Sequence, residues 1–402
     1  MNLVKDTSKC CGCNLCSVVC THNAINMEPD KYGYLYPRIE QEKCVNCGLC
    51  EMKCPLQNIA TVNSSVAAYA ASYNNVESIK NSSSGGIFFA LAEHFIEQGG
   101  VVCGTAVTEK FNVEVVAIES KDELYRLQGS KYVQSSMGDI YKTIKQYLSN
   151  GKKVLFCGTP CQVAAVKNYI GVNENLLLVD IVCHGTPNNQ FFKDYIKTEE
   201  EKKEIDIKEF KFRDKKYGQD VKGSMLFSQN GIVNNKCVYN YESSYYSLFL
   251  KGITFRDSCY KCPYAQNMRV GDITICDFWG IDEVQPTVYK TMKEIGADAI
   301  SGVSVNTEIG ARYFEQIENS LIFEKVKFSD IALNNPQLNH PFDECNQDLR
   351  QKVLALYSDQ GYPAVDSYYY TTFKKAIMVR KIAKHFPIKL KKILVEIRDS
   401  RK

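Results

Sequence analysis

Two stretches near the start of the chain share one cysteine spacing: Cys10-Cys-Gly-Cys-Asn-Leu-Cys-Ser-Val-Val-Cys20 and Cys44-Val-Asn-Cys-Gly-Leu-Cys-Glu-Met-Lys-Cys54. Each follows the pattern C-x2-C-x2-C-x3-C, and Pro55 comes directly after the second. The cysteines in register are Cys10, Cys13, Cys16 and Cys20 in the first stretch and Cys44, Cys47, Cys50 and Cys54 in the second. Such an internal repeat predicts two similar sites in one small domain.

The compartment decides how these cysteines are interpreted. Nine of the 18 cysteines lie in the first 54 residues. The chain begins Met-Asn-Leu-Val-Lys-Asp, without the apolar stretch of a secretory signal, and it has no run of about 18 apolar residues. We therefore expect a cytoplasmic protein, in which dense cysteines indicate metal binding rather than disulfides.

The spacing indicates which metal group is bound. Three thiolates on one tight loop hold three corners of a 4Fe-4S cluster, and in two-cluster ferredoxins the other run supplies the fourth. That rule predicts two ligand sets: Cys10, Cys13, Cys16 and Cys54 for one cluster, and Cys44, Cys47, Cys50 and Cys20 for the other. Cys11 is spare. The alternative, a pair of zinc sites, is disfavoured because zinc sites usually use paired C-x2-C knuckles.

Residues 1–60 resemble a bacterial-type ferredoxin domain with two 4Fe-4S clusters. One feature departs from that pattern, since Thr21 rather than proline follows Cys20. The proline shapes the chain and does not bind iron, so the departure weakens the first run only slightly.

Length and composition limit what the rest of the chain can be. It has 402 residues, 45% of them hydrophobic and 24% charged, which is enough for two or three domains with a sizeable core. The formal net charge of +3 does not indicate a nucleic-acid-binding protein.

After a short linker at residues 61–65, strand and helix patterns alternate, which predicts a mixed α/β region. We expect strands at residues 66–72, 101–107, 113–118, 154–156 and 176–182, and a helix at 86–98 that ends at a Gly-Gly pair. The predicted division is a ferredoxin domain at 1–60, two parts of the α/β region at 66–150 and 151–330, and a helical extension with a basic tail at 331–402.

Two polar stretches could contact an anion. Asn-Ser-Ser-Ser-Gly-Gly at 81–86 precedes the predicted helix, where free backbone N–H groups favour a phosphate. Gln-Gly-Ser-Lys-Tyr-Val-Gln-Ser at 128–135 is a polar loop with one lysine. Taken alone, an ordinary helix cap and a solvated loop are the preferred interpretations of these two stretches.

Three further stretches carry cysteines. Cys-Gly-Thr-Pro-Cys-Gln at 157–162 and Cys-His-Gly-Thr-Pro at 183–187 each follow an apolar strand, and Cys-Tyr-Lys-Cys-Pro at 259–263 adds a C-x2-C pair. Together they could hold a third 4Fe-4S cluster through Cys161, Cys183, Cys259 and Cys262, with Cys157 as the competitor for Cys161. Incidental buried thiols are the alternative for these four, and they are the preferred interpretation for Cys103, Cys237, Cys276 and Cys345.

The ordered set of motifs resembles the beta-subunit family of coenzyme F420 hydrogenase and dehydrogenase over about residues 1–330. It ends with Gly-Asp-Ile-Thr-Ile-Cys-Asp-Phe-Trp-Gly at 271–280. The resemblance implies a flavoprotein in which FAD lies beside a 4Fe-4S cluster, and it adds support for the third ligand set. It also places Asp277 and Trp279 near the site, without a role.

Carried onto this chain, the resemblance implies a set of candidate flavin contacts. They are Ser83, Ser84, Gly85, Gly86, Ser130, Lys131, Tyr132, Gln134, Gly158, Thr159 and Pro160. His184 is a candidate proton relay, although a structural histidine near the cluster is an equally good interpretation.

Residues 374–402 form a separate electrostatic segment. They hold eleven basic and two acidic residues, a net charge of +9 that leaves −6 on the remainder of the chain. Apolar residues recur every three or four positions, with an interruption at Pro387. Such a helix could lie on an anionic membrane surface or dock a partner, or pack on its own domain with a solvated basic face.

The leading hypothesis is a flavin-dependent iron-sulfur oxidoreductase that exchanges electrons between 4Fe-4S clusters, FAD and an unidentified organic substrate or coenzyme. Its redox partner would be ferredoxin or another oxidoreductase subunit. The alternative is a non-catalytic electron-transfer subunit that links protein partners. The fold does not fix the substrate.

Overall fold

The computed structural model describes residues 4, 6–218 and 221–383. Their strands, in chain order, are β1 (Ile25–Pro29), β2 (Leu35–Ile39), β3 (Ala67–Tyr73), β4 (Val101–Val107), β5 (Val113–Ile118), β6 (Val154–Gly158), β7 (Leu176–Ile181), β8 (Asp206–Lys211), β9 (Lys222–Gln229), β10 (Ile232–Tyr239), β11 (Ile273–Asp277), β12 (Ser301–Val305) and β13 (Leu321–Val326).

The helices alternate with these strands and then follow them. They are α1 (Leu15–Val19), α2 (Leu49–Lys53), α3 (Val76–Asn81), α4 (Ile87–Glu97), α5 (Ile140–Ser149), α6 (Pro160–Ile170), α7 (Asn189–Lys203), α8 (Ser244–Leu250), α9 (Ile281–Val284), α10 (Pro286–Glu294), α11 (Glu308–Ile317), α12 (Phe328–Leu333), α13 (Gln347–Gln360), α14 (Tyr362–Thr372) and α15 (Lys374–Ala383).

The amino-terminal repeat is visible in the backbone. Gly12 and Asn46, which occupy equivalent positions in the two runs, both have positive φ, and so do Asn14 and Gly48 two residues later. Asn14 leads into the short helix α1, and Gly48 leads into the short helix α2. Glycine and asparagine are the residues that adopt this conformation at least cost, so the two runs fold into the same kind of loop. The antiparallel hairpin β1–β2 lies between them.

An eight-stranded mixed sheet forms the centre of the molecule, which confirms the predicted α/β architecture. Its strand order is β13-β3-β12-β11-β7-β6-β4-β5. Strands β4, β6, β7 and β11 run parallel to one another, while β12 is antiparallel to β11 and β3 is antiparallel to β12. The carboxyl ends of β3, β6, β7 and β11 therefore meet the amino end of β12 at one edge of the sheet.

Helices cover both faces of this sheet. Helices α4 and α11 lie on one face, and α5 and α6 lie on the other. Strands β6 and β7 are buried on both faces, which explains their unbroken apolar sequences. Leu15 and Val19 of α1 enter the same core as α5 and α6, so the amino-terminal domain packs against the sheet through a shared apolar cluster.

A second core was not evident from the sequence. The antiparallel sheet β10-β9-β8 packs with α7, α8, α13 and α14 in an aromatic cluster that includes Phe192, Tyr195, Tyr245 and Tyr362. The expected helical extension at residues 331–402 takes part in this packing, because helices beyond residue 345 complete a core begun at residue 189. Helix α15 covers the start of the basic segment, and residues 384–402 lie outside the described residues.

One buried ion pair joins strand β7 to the segment that precedes β11. Asp180 of β7 and Arg269, which precedes β11, are 0% and 1% exposed, and their Oδ2 and Nη2 atoms are 3.3 Å apart. Arg269 also donates to the carbonyls of Tyr264 and Gln266. The pair fixes the segment between Cys262 and β11 against the end of β7.

We predict that Asp180→Asn lowers the free energy of unfolding by about 3–5 kcal/mol, because Arg269 loses its counter-charge in a buried site. Urea titration of anaerobically purified protein measures the change. The matched control is Glu294→Gln, which removes an exposed pair with Lys290 and should change stability by less than about 0.5 kcal/mol. If Asp180→Asn lowered the free energy of unfolding as little as Glu294→Gln does, the stabilising role of the Asp180–Arg269 pair would be contradicted.

Candidate functional site

The first cysteine run and the end of the second come together. The thiol of Cys16 is close enough to those of Cys10, Cys13 and Cys54 for their charges to raise its pKa, beyond the increase caused by burial. Backbone amides point at two sulfurs: Gly12 N donates to Cys10 Sγ at 3.4 Å and Ala24 N to Cys20 Sγ at 3.4 Å. Three thiols of the first run together with Cys54 of the second run fit the ligand set of a 4Fe-4S cluster.

The second run lies nearer to the surface. Cys47 is exposed, whereas Cys44 and Cys50 are partly buried. Charge on Cys47 contributes to a raised pKa of Cys50, although burial is the larger cause. The ligand set proposed for the second cluster is thus open to solvent on the side of Cys47.

A separate cavity lies where β6 and β7 end. Cys161, Cys183, Cys259 and Cys262 all line it, and its volume is about 630 Å³ including the space open to solvent. Cys161 stands in the first turn of α6 directly after β6, and Cys183 follows β7, the neighbouring parallel strand. The charges of Cys161 and Cys259 raise the pKa of Cys262 to about 12, with burial as the main cause. Cys157 lines the neighbouring cleft instead.

The donor set of this cavity fits a 4Fe-4S cluster. All four predicted sulfurs are present, and the lining of the cavity also includes aromatic side chains such as Tyr264 and Phe342. Within residues 4–383, as far as they are described, no three His, Cys, Asp or Glu side chains converge on a point that would hold a single metal ion. The four sulfurs that bind the corners of a 4Fe-4S cube stand farther apart than the ligand atoms of a single metal ion.

Arg256 joins the amino-terminal domain to this cavity. Its guanidinium is buried and donates to the carbonyls of Cys10 at 3.3 Å and Leu35 at 2.9 Å, and to the amide oxygen of Gln134 at 3.2 Å. Its backbone N–H donates to Thr186 O at 3.0 Å. One cation therefore ties the first cysteine run to the segments that carry Cys183 and Cys259.

Cys11, which the sequence left without a role, is buried at this junction. Its thiol is in hydrogen-bonding contact with the thiols of Cys13 and Cys161. These contacts raise the pKa of Cys11, and the contact with Cys11 lowers the pKa of Cys161 to about 7.

A larger cleft runs along the carboxyl ends of β3, β6, β7 and β11. Its volume is about 1980 Å³ including the space open to solvent. Of the eleven predicted flavin contacts, nine line it: Ser83, Ser84, Gly86, Ser130, Lys131, Tyr132, Gln134, Gly158 and Thr159. The amino ends of α4 and α6 both open onto it.

Two predicted flavin contacts lie elsewhere. Gly85 packs against the strands: a Cβ there would stand 2.5 Å from Ala71 O and 2.8 Å from Ser301 N. The residue is glycine because the backbones of β3 and β12 approach it closely. Pro160 lines the cysteine cavity rather than the cleft.

The two polar loops meet at one end of the cleft. Ser130 donates to Ser83 Oγ from its backbone N at 2.7 Å and from its hydroxyl at 2.9 Å. Ser301 Oγ donates to Ser84 Oγ at 3.0 Å. The serines of residues 82–84 are therefore more than a helix cap: they form part of a polar wall.

Two partly buried lysines lie along this wall. Burial lowers the pKa of Lys131 to about 7, and its Nζ donates to Gln128 O at 2.7 Å. Lys215 Nζ donates to Ser84 O at 2.6 Å and Ile79 O at 2.8 Å, and burial lowers its pKa to about 8. The sequence did not predict a contact of Lys215 with the cleft, because no local pattern at residues 213–216 indicates contact with a loop 131 residues earlier.

The predicted residues Asp277 and Trp279 lie at the mouth of the cleft. Arg213 Nη1 bonds Asp277 Oδ2 at 2.5 Å, and its guanidinium lies 5.2 Å from the centre of the Trp279 ring. Trp279 is 38% exposed. Arg213 was also missed, since it follows β8 in the second core and reaches the sheet edge only in the folded chain.

His184 borders both the cysteine cavity and the cleft. Its Nε2 lies 3.3 Å from Leu250 O, and its ring packs edge-on against Phe249, Phe255 and Phe342. Burial lowers its pKa. These contacts fit the structural interpretation of His184, and its proton-relay role stays a prediction.

The four cysteines left without a function are dispersed. Cys103 is fully buried in β4, Cys237 and Cys276 lie on β10 and β11, and Cys345 precedes α13. In the described residues, no helix has the length and apolar character required to cross a bilayer.

Family models match most of the chain. Residues 9–58 match a 4Fe-4S dicluster domain. Residues 68–142 match the coenzyme F420 hydrogenase/dehydrogenase beta subunit, amino-terminal part, and residues 151–330 match the carboxyl-terminal part of the same subunit. A dicluster domain implies two 4Fe-4S clusters, and members of this beta-subunit family bind FAD.

Two similar proteins extend the comparison. An uncharacterized protein of Methanocaldococcus jannaschii, MJ1349, is 27% identical over 212 residues, 43% of this chain. The match spans 56% of that relative's length. A chain in the solved F420-reducing NiFe hydrogenase complex from Methanosarcina barkeri is 16% identical, with a TM-score of 0.46 over 72% of this chain and 91% of that chain.

The predicted family is confirmed by the family models. The two halves of its model occur in order on the sheet that carries the cleft, directly after the dicluster domain. The chain belongs to the coenzyme F420 hydrogenase/dehydrogenase beta-subunit family.

Proposed function

We propose that this protein is a flavin-dependent iron-sulfur oxidoreductase in which three 4Fe-4S clusters connect a redox partner protein to FAD. The observation that carries the proposal is a shared wall. Thr159, Cys161, Cys183 and His184 line both the cysteine cavity and the cleft. A cofactor at this end of the cleft lies next to the proposed third cluster, held by Cys161, Cys183, Cys259 and Cys262.

The polar end of the cleft supports FAD as the occupant. Ser83, Ser130 and the amino end of α4 offer donors for a diphosphate, and Lys131 adds a cation. Flavin exchanges two electrons or a hydride with an organic molecule and passes electrons on singly to iron-sulfur clusters. The protein's part is to orient the ring against the shared wall and to exclude water from it.

The amino-terminal domain offers a route for a protein partner. Around the exposed Cys47, three apolar side chains face solvent: Val45, Met52 and Ile59 are 57%, 56% and 47% exposed. Exposed apolar groups beside a redox centre suit transient contact with another redox protein. The proposed partner is ferredoxin or another oxidoreductase subunit.

An organic substrate distinguishes an enzyme from an electron-transfer subunit without a catalytic site. Asp277 and Trp279 line the cleft near the polar loops, and Trp279 is 38% exposed. That exposure favours an enzyme whose substrate or coenzyme reaches the cleft there. The family name does not assign the deazaflavin coenzyme to this chain, because the fold carries varied chemistry.

We predict that replacing Cys259 and Cys262 together by serine removes about four irons per chain, because one cluster loses two ligands. Iron and sulfide analysis of anaerobically purified protein measures the loss. Cys157→Ser is the matched control, since Cys157 lines the cleft and should leave the iron content unchanged. Loss of iron from the control but not from the double variant would mean that the ligands are wrongly assigned.

Electron flow tests the function itself. Reduced ferredoxin, which is too large to enter the cleft, should reduce the bound flavin rapidly in the native protein and in Cys157→Ser. In the Cys259→Ser, Cys262→Ser variant the flavin should stay bound while its reduction becomes very slow, because the connecting cluster is gone. Stopped-flow flavin absorbance gives both rates. Unchanged flavin reduction in a double variant that lacks four irons would overturn the proposed route.

A further inference from the structure

We propose that the outward face of helix α15 docks on the surface of an anionic lipid bilayer and holds the protein at a membrane. This face consists of Lys374, Lys375, Met378 and Ile382, with Val379 at its border. The proposal goes beyond the redox function, because none of these five residues lines the cysteine cavity or the cleft.

The two sides of α15 differ in burial. On the inner side Ile377 and Ala383 are each 7% exposed, and Ile377 belongs to the second core. On the outward side Met378, Val379 and Ile382 are 55%, 37% and 54% exposed. A helix that only packs on its own domain keeps its apolar residues on the inner side. Packing within the described part of the chain therefore does not explain the outward apolar residues.

Contacts with the segment between β10 and α8 hold α15 in place. Lys381 Nζ lies 3.7 Å from Glu242 Oε1, and the guanidinium of Arg380 lies 5.8 Å from the centre of the Tyr241 ring. Helix α15 also packs against α14. Because these contacts fix the rotation of the helix about its axis, Met378 and Ile382 are presented outward together.

Basic side chains share the outward face with the apolar ones. Lys374, Met378 and Ile382 follow one another at intervals of four residues, so they form one row along the helix. Lys375 is three residues from Met378 and lies beside this row. Both lysines are exposed. A lysine lays its apolar stem along an apolar surface while its ammonium group reaches an anion, so this face suits a layer that offers both.

Charge complementarity identifies the layer. Residues 374–402 carry a net charge of +9, whereas residues 1–373 carry −6. An anionic bilayer therefore attracts this end of the chain and repels the remainder, which orients the molecule. Of the eleven basic residues, seven follow α15 in the sequence, within residues 384–402.

The mixture of lysine, methionine and isoleucine on one face favours a bilayer over an acidic protein. A protein groove that covers this face has to bring carboxylates out of water beside apolar groups, which is costly. At the surface of a bilayer, lipid phosphates and acyl chains lie in adjacent layers, and amphipathic helices with lysine on their borders bind there.

Cosedimentation of the full-length, anaerobically purified protein with lipid vesicles tests the proposal. Vesicles of phosphatidylcholine with about one third phosphatidylglycerol should bind the protein at low salt, and vesicles of phosphatidylcholine alone should bind it far more weakly. Salt at about 0.5 M should weaken binding, because it screens the charges. Equal binding to the two kinds of vesicle would overturn the proposal.

Substitutions on the outward face locate the binding. The double variant Met378→Ser, Ile382→Ser should bind anionic vesicles about tenfold more weakly, because less apolar area enters the bilayer. The matched control is Ile232→Ser, Val233→Ser, which removes two apolar side chains that are 65% and 64% exposed at the start of β10. Native iron content and circular dichroism establish that both variants are folded. If the two variants bound vesicles equally well, the proposed face would be wrong.

A tryptophan placed on the face reports contact with lipid directly. The native chain has one tryptophan, Trp279. Brominated phospholipid in anionic vesicles should quench the added fluorescence of Ile382→Trp, but not that of Val172→Trp, whose site is 90% exposed between α6 and β7. Equal quenching in the two variants contradicts the proposal. So does binding to an acidic protein without binding to vesicles of either composition, which would make this face a protein interface.

Discussion

The buried guanidinium of Arg256 is the contact on which the arrangement of the sulfur sites depends. It donates to two carbonyls of the amino-terminal domain and to one amide of the cleft loop, and none of these acceptors is a carboxylate. Tyr34 and Tyr36 flank it at 5.2 and 4.6 Å from their ring centres. A buried cation without an anionic side chain is costly. In the proposed ligand set Cys10 is a thiolate that would supply the missing negative charge, so cofactor loading and domain docking would stabilise each other.

The sheet edge supplies the second constraint. Parallel strands β6, β7 and β11 end at the same side, which is where open α/β sheets place their ligands. The same edge gathers Cys161 and Cys183 on one side and the serine loop on the other. A cluster and a flavin at this edge would be neighbours because two adjacent strands end there, not because their residues are close in sequence.

Local patterns predicted the parts of the site that depend on local structure. The repeated spacing predicted the dicluster domain, and apolar runs followed by Cys-Gly-Thr-Pro and Cys-His-Gly-Thr-Pro predicted thiols at strand ends. Cysteine spacing alone did not show whether Cys157 or Cys161 is the better candidate ligand of the third cluster, because that depends on which side of the β6–α6 turn each side chain faces.

Long-range contacts account for what the sequence did not reveal. Cys11 looked superfluous because its contact with Cys161 exists only after the two domains dock. Lys215 and Arg213 reach the cleft from the second core, whose three-stranded sheet gave no recognised signal. Gly85 was assigned to the flavin from its motif, whereas the close approach of two strand backbones explains why it is glycine.

The iron, sulfide and flavin content of protein purified without oxygen tests the central claim most directly. The account predicts about twelve irons and one flavin per chain, from three 4Fe-4S clusters and one FAD. About eight irons and no flavin, even after reconstitution with FAD, would contradict it, and would reduce the protein to a ferredoxin domain joined to a region without redox cofactors.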